Sequence, residues 1–264
     1  MRPTHTDLAI LRTLALEAGA AIMKIYEKDA IAVTAKSDQS PVTEADLAAD
    51  AVIRAGLAKH FPDIAVLSEE SPDALPRNTA LFFLVDPLDG TREFISRNGE
   101  FTVNIALIEN GRSIAATVHA PAINATYIAA EGLGAWRHDE NGTALALKTQ
   151  LHTEGEPLRV LASRSHNSPE TESFIARLPA PVTLIQSGSS LKFCTVASGS
   201  GDLYPRFGPT SQWDTAAGQC ILEQAGGLVL TAEGEPLRYG LDLPLLNPSF
   251  IALATPALRS VAGI

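Results

Sequence analysis

Leu81-Phe82-Phe83-Leu84-Val85-Asp86-Pro87-Leu88-Asp89-Gly90-Thr91 is the stretch on which the reading of this chain turns. Its first five residues are apolar and β-rich, the composition and length of a buried strand. Two carboxylates, Asp86 and Asp89, follow where that strand is expected to end. Pro87 lacks an amide proton and has a fixed φ, so the strand is predicted to stop there and the turn to be stiff. Gly90 admits a positive φ or a close backbone approach, and Thr91 adds a hydroxyl. A rigid turn of this kind can aim both carboxylates and the Leu88 carbonyl at one point, and hard divalent cations take such oxygen-only clusters. Asp, Pro and Gly are also ordinary turn formers, so in isolation the stretch reads as a plain turn more often than as a metal site.

Two acidic features lie upstream. Residues 64–67 read as a strand that ends in Ser68-Glu69-Glu70. Paired glutamates suit a solvated corner, but a glutamate at the tip of a strand beside the Asp86 strand can join the same cluster, since sites in layered α/β proteins collect outside strand ends. Further back, Thr43-Glu44-Ala45-Asp46 opens a helix over 43–58, after a polar loop that ends at Pro41. Thr43 is a good N-cap, and Asp46 at the third helical position can meet the free amides, so on local grounds Asp46 reads as a cap. An amphipathic helix over 8–26 precedes it.

Downstream, residues 101–108 and 113–119 flank Asn110-Gly111, a strong hairpin signal. Short strands are expected at 126–130 and 134–136. The first half is therefore helices plus a largely antiparallel sheet. A polar stretch, 137–157, holds one alternating run at 144–148 and reads as a connecting hairpin or loop, which places the division at 1–150 and 151–264. The second half alternates: strands at 158–162, 182–186, 203–206, 228–230 and 250–254, and helices at 168–178, 189–197 and 213–225, with a last short one from 256. That alternation indicates an α/β sheet with flanking helices. Asp214 starts one helix, as a cap or first-turn acid. Ser187-Gly188-Ser189-Ser190-Leu191-Lys192 starts another, an ordinary Ser-capped start or one suited to an anion.

Composition sets the outer bounds. With 45% hydrophobic and 19% charged residues in 264, the chain can bury a sizeable core and is not disordered. A net charge of −10 without a basic cluster argues against nucleic acid polymers and anionic membrane surfaces. Two cysteines, Cys194 and Cys220, indicate no disulfide framework and fit a reducing cytosol. Neither a signal peptide nor an integral membrane segment is read.

Read together, Ser68-Glu69-Glu70, Asp86 to Thr91 and Trp213-Asp214-Thr215-Ala216-Ala217-Gly218 resemble, in order and spacing, the inositol monophosphatase-like superfamily of metal-dependent, lithium-sensitive phosphatases. Within it the chain looks most like the bacterial 3′(2′),5′-bisphosphate nucleotidases. That closer likeness rests on Ser40-Pro41-Val42-Thr43 with Asp46, on Glu93-Phe94-Ile95 and Asn98 to Leu107, and on Ser163-Arg164-Ser165-His166. Gly188 to Phe193, Leu203 to Thr210 and Leu246-Asn247-Pro248-Ser249-Phe250 extend it over nearly the whole chain.

The resemblance implies an α/β (α+β) fold, a five-layered α-β-α-β-α sandwich. It implies Glu69, Asp86, Asp89 and Asp214 as side-chain ligands of two or three Mg²⁺ ions, with the Leu88 carbonyl completing one site and Glu70 the weaker of the two glutamates. Asp46 and Thr91 would orient and deprotonate the attacking water. Glu69, Leu88, Asp89, Gly90, Thr91 and Asp214 would meet the substrate around the scissile phosphate, and Ser163, His166, Gly188 and Lys192 on the nucleotide side, Lys192 nearest the second phosphate. Arg206 is a further candidate there, or a structural residue. The implied substrate is adenosine 3′,5′-bisphosphate or its phosphosulfate relative (PAP or PAPS), and the implied enzyme a monomer or homodimer, cytoplasmic or peripheral on the cytoplasmic face of the inner membrane. The alternatives are an inositol monophosphatase or fructose bisphosphatase with the same metal core, or a catalytically silent nucleotide or metal sensor.

Overall fold

The computed structural model describes residues 1–28, 43–71, 79–163 and 168–264 in full, and the backbone of 33–35 and 41–42. Helix α1 (His5–Tyr26) starts from Thr4, whose hydroxyl accepts from the Asp7 amide while Asp7 accepts from the Thr4 amide. It buries Leu8, Leu11, Leu14, Ala15, Ala18, Ile22 and Ile25, the helical stripe its spacing predicts. A short antiparallel pair follows, β1 (Val33–Ala35) and β2 (Pro41–Thr43), where the sequence reads as a polar loop; residues 36–40 of that loop lie outside the described residues. Helix α2 (Glu44–His60) then packs along α1. The crossing is close because Gly56 has no side chain: a Cβ there would lie 2.1 Å from a Leu14 methyl.

Next come β3 (Ala65–Ser68), β4 (Leu81–Asp89), the short helix α3 (Thr91–Ile95), β5 (Thr102–Glu109), β6 (Arg112–Ala120), β7 (Ala125–Ala130), β8 (Gly134–His138) and β9 (Ala144–Ala146). The seven strands β3 to β9 form one sheet in sequence order. Every neighbouring pair is antiparallel except β3 and β4. That one parallel pair sets Ser68 against Val85, so Glu69, just beyond β3, stands beside Asp86 of β4. Asn110 (φ 51°) and Gly111 (φ 78°) make the tight turn between β5 and β6, the two positive φ values an Asn-Gly hairpin requires.

One expectation is corrected. Strand β4 does not stop before Pro87 but runs on to Asp89. Asp86 pairs with Asn104 and Asp89 with Thr102, so Pro87 and Leu88 together oppose Val103 in a bulge. Proline has no proton to donate to a ladder, and a bulge is where the ladder asks for none.

The second half supplies β10 (Leu158–Ser163), α4 (Pro169–Ala176), β11 (Val182–Ser187), α5 (Leu191–Ala197), β12 (Leu203–Arg206), α6 (Gln212–Gln224), β13 (Leu228–Thr231), β14 (Phe250–Leu253) and α7 (Arg259–Ala262). Its sheet runs β11-β10-β12-β14-β13, parallel around β10 and antiparallel at β12–β14–β13.

Helices α5 and α6 lie between the two sheets; α6 touches β4 to β8 on one side and β13 on the other. A single apolar cluster therefore runs from Phe82 and Leu84 through Phe193, Ala216 and Ile221 to Phe250 and Leu253. A second cluster joins α1 and α2 to the outer face of the seven-stranded sheet. With α4 packed on β12, the five layers alternate helix and sheet.

Candidate metal centre and active site

Three carboxylates from distant parts of the chain converge. One carboxylate oxygen each from Glu69, Asp86 and Asp214 lie within 4.8 Å of one another. Glu69 stands just beyond β3, its amide donating to Val85 O at 3.1 Å, which extends the β3–β4 ladder by one bond. Asp86 lies inside β4, 1% exposed, and its Oδ1 accepts from the Leu88 amide at 3.1 Å across the bulge. Asp214 is the third residue of α6, where its Oδ2 accepts from the Ser211 amide at 2.8 Å. That capping bond anchors Asp214 at the helix start, between the sheets.

Burial pushes the Asp86 carboxyl well above the usual carboxylate range, and the charges of Glu69, Asp89, Asp214 and Asp46 push it the same way. Asp214 is pushed up to about 8 by burial first and by Asp89 next. Carboxylates brought together at such electrostatic expense, offering oxygen alone, fit a hard divalent cation, which would neutralise them and take their lone pairs. Glu70 is not one of the three.

Asp89 is within electrostatic reach of that cluster but is held by the start of α5. Its Oδ2 accepts from Ser189 Oγ at 2.7 Å, the Ser190 amide at 2.7 Å and Asn104 Nδ2 at 3.4 Å. Ser190 Oγ in turn donates to Asp214 O at 2.7 Å, so the α5 start ties Asp89 to the α6 start. Ser189 takes φ 52° to do this, a left-handed conformation costing a non-glycine residue about 1–3 kcal/mol.

Asp46 and Thr91 come together as well. Thr91 Oγ1 lies 3.3 Å from Asp46 Oδ1, as donor, and 3.5 Å from Leu88 O. The other Asp46 oxygen, Oδ2, accepts from the Thr43 amide at 2.8 Å and from Thr43 Oγ1 at 2.7 Å. Asp46 therefore is a cap and faces Thr91 too, one oxygen for each. Gly90, at φ 91°, is the residue from which α3 starts, and Thr91 is its first residue.

A cavity of about 710 Å³ opens over these groups. Glu69, Asp89, Gly90, Thr91, Ser163, Lys192, Arg206 and Asp214 all contribute to its wall. Lys192 is 4% exposed; its Nζ donates to Ser189 O at 2.7 Å and Ser187 O at 3.2 Å, and burial pushes its pKa down to about 8. Arg206 Nη2 donates to Pro209 O at 2.9 Å. Gly188 stands behind the wall: its amide donates to Glu100 Oε2 at 2.9 Å, and a Cβ there would lie 2.8 Å from the Glu100 carbonyl. His166 lies outside the described residues, as do Arg164 and Ser165.

Sequence reasoning passed over the residues that hold these groups in place: Asp50 of α2, Ser68 and Ser71 around Glu69, and Thr102, Asn104, Ser189 and Ser190 around Asp89. Asp50 did carry a signal, since it follows Asp46 by four residues and so shares its helix face.

A model of the inositol monophosphatase family matches residues 4–260. The 3′(2′),5′-bisphosphate nucleotidase CysQ of Shigella flexneri is 48% identical over 240 residues, covering 90% of this chain and 95% of that protein. The nucleotidase of the same name from Buchnera aphidicola is 41% identical over 246 residues, 91% of each chain. Among solved structures, CysQ from Bacteroides thetaiotaomicron, described as a bacterial member of the inositol monophosphatase family, superposes with a TM-score of 0.82 at 40% identity, over 94% of this chain and 97% of that one. An inositol monophosphatase from Anabaena superposes at 0.79 with 26% identity, over 98% and 94%.

Proposed function

The chain belongs to the inositol monophosphatase family, and from that premise we propose that it is a Mg²⁺-dependent 3′(2′),5′-bisphosphate nucleotidase. It removes the 3′-phosphate of adenosine 3′,5′-bisphosphate to leave AMP, and takes the corresponding phosphosulfate to the 5′-phosphosulfate. The observation that carries this reading is the meeting of Glu69 and Asp214, on the wall of a cavity that also presents Thr91, with the buried Asp86, while Asp46 stands behind the Thr91 hydroxyl.

Glu69, Asp86, Asp89, Asp214 and the Leu88 carbonyl would hold the metal. Bound there, Mg²⁺ would neutralise phosphate charge and make water at the site more acidic. The rest falls to the chain's own residues. Thr91 points its hydroxyl proton at Asp46, which leaves the Thr91 oxygen to accept a proton from the attacking water as its own passes to the carboxylate. The amides of Gly90 and Thr91, at the open end of α3, receive phosphate oxygens. Ser163, Lys192 and Arg206 would face the second phosphate and the nucleoside, Lys192 and Arg206 joining Arg92 as positive charge in a wall that also holds Glu69, Asp89, Glu93 and Asp214. Catalysis of this type is mostly positioning and charge stabilisation. Among the described residues no helix is long and apolar enough to cross a membrane, and both cysteines are buried thiols, in keeping with the reducing cytoplasm in which we place the enzyme.

Phosphate release from adenosine 3′,5′-bisphosphate, inositol 1-phosphate and fructose 1,6-bisphosphate, with Mg²⁺, with EDTA and with added Li⁺, tests the assignment. The nucleotide should be hydrolysed fastest, only with metal, and Li⁺ should inhibit. Faster release from inositol phosphate would overturn the substrate; no release from any would overturn the reaction.

A further inference from the structure

The face of α2 that carries Asp46 continues one turn later with Asp50, and nothing in the chemistry above uses it. Asp50 is 6% exposed and sits mid-helix, where no cap requires a carboxylate. Burying an ion is unfavourable unless hydrogen bonds replace its water. Both Asp50 oxygens have such bonds, and both go to one short turn. Ser68 Oγ donates to Oδ1, and Ser71 Oγ donates to Oδ2 at 2.9 Å. The turn is closed by the Ser71 amide on Ser68 O at 3.2 Å. Ser68 and Ser71 are its first and last residues, and Glu69 is its second.

We infer that Asp50 is a positioning residue for the metal centre: by clasping Ser68 and Ser71 it fixes the backbone from which Glu69 reaches Asp86 and Asp214. The argument is geometric. The Glu69 backbone is held on the sheet side by its amide bond to Val85 O. Beyond Glu69 the chain leaves the ladder, and the turn is gripped by the pair of serine hydroxyls on Asp50, with Arg54 Nη1 donating to Ser71 O at 3.5 Å. Without that clasp, the side chain has a longer arc to search before it can meet the other two carboxylates. Helix α2 thereby serves the site at two successive turns, Asp46 at the hydroxyl of Thr91 and Asp50 at the turn of Glu69. The inference rests on reading Glu69, Asp86 and Asp214 as ligands of a divalent cation.

Titration calorimetry of Mg²⁺ into the substrate-free protein tests it without depending on which phosphoester is cleaved. Asp50→Ala should weaken Mg²⁺ binding about tenfold or more, the range for removing a residue that orients a ligand. Asp50→Asn, which can still bond both hydroxyls, should recover most of that loss, which separates the clasp from the charge. In turnover, Asp50→Ala should raise the Mg²⁺ needed for half-maximal rate, with kcat recovering at saturating metal. Should Asp50→Ala fail to fold, Ser71→Ala, at a half-buried position, removes one arm of the clasp and should still weaken Mg²⁺ binding. Wild-type Mg²⁺ affinity in whichever of the two folds would overturn the inference. A wild-type protein that binds no Mg²⁺ at all would overturn the metal reading beneath it.

Discussion

Asp46 gives one oxygen to the Thr43 cap and the other to the Thr91 hydroxyl, and under the proposed relay this makes its substitution informative. Asparagine keeps a capping oxygen for Thr43 but cannot receive the Thr91 proton. Asp46→Asn should therefore lower kcat by about 10²-fold or more while helix content and melting temperature stay near wild type, as initial rates and circular dichroism would register. Full turnover would exclude the Thr91–Asp46 relay. Asp214 offers a pH test. In the metal-free fold it keeps its proton up to about 8, against an ordinary value of 3.8 that the unfolded chain retains. Between those values the folded state binds more protons than the unfolded one, so this group's contribution falls as pH rises. Melts of EDTA-treated protein should show stability dropping toward pH 8, and Asp214→Asn should flatten that slope. A wild-type slope in the variant would place the titration elsewhere. Glu69, Asp86, Asp89 and Asp214 were all named from the sequence, but as ligands only through the family resemblance; on local grounds each also reads as a solvated corner, a plain turn or a helix cap. The roles of Asp50, Ser68 and Ser189 could not be read there, because they depend on which turn lies beside which helix.

Among the elements, β4 and α6 do most to set the centre. The bulge at Pro87 and Leu88 lets β4 carry Asp86 inside the sheet and Asp89 at its rim, so the two acids serve different neighbours. Local composition identified the strand but not its length: a proline breaks a regular ladder, and whether a partner strand accommodates it with a bulge is decided by the register with β5. The Asn110-Gly111 hairpin was legible for the opposite reason, since its backbone conformation is dictated by the two residues themselves. The pairing of β1 with β2 was not, as nothing in three polar-flanked residues names a partner. Helix α6 is held against α5 by the absence of a side chain at Gly218, where a Cβ would lie 2.4 Å from the Phe193 ring. Gly218→Ala should cost about 1–3 kcal/mol in denaturant melts, the usual penalty of overpacking. Because α6 carries Asp214 on its first turn, the same variant should bind Mg²⁺ more weakly. Unchanged stability would mean that α5 yields without effort.

Over the whole molecule, the centre joins what the two sheets hold separately. Glu69 and Asp86 belong to the seven-stranded sheet, Asp214 to the helical layer between the sheets. A cation bound there stabilises the assembled state alone, so Mg²⁺ at a hundred times its dissociation constant should raise unfolding free energy by about 2.7 kcal/mol. Thermal melts with and without metal would measure it, and Asp214→Ala should abolish the gain. The five-layer order came with the family resemblance; the antiparallel run of the first half and the strand–helix alternation of the second were readable from the pattern of elements. The packing of α5 and α6 between the sheets was not, since it depends on which faces of two sheets meet. The order of the ligands along the polypeptide has one more consequence. A ribosome delivers Glu69 and Asp86 long before Asp214, so an emerging chain stalled midway holds an incomplete claw. Ion capture at the proposed centre would thereby wait until α6 has followed the seven-stranded sheet from the ribosome.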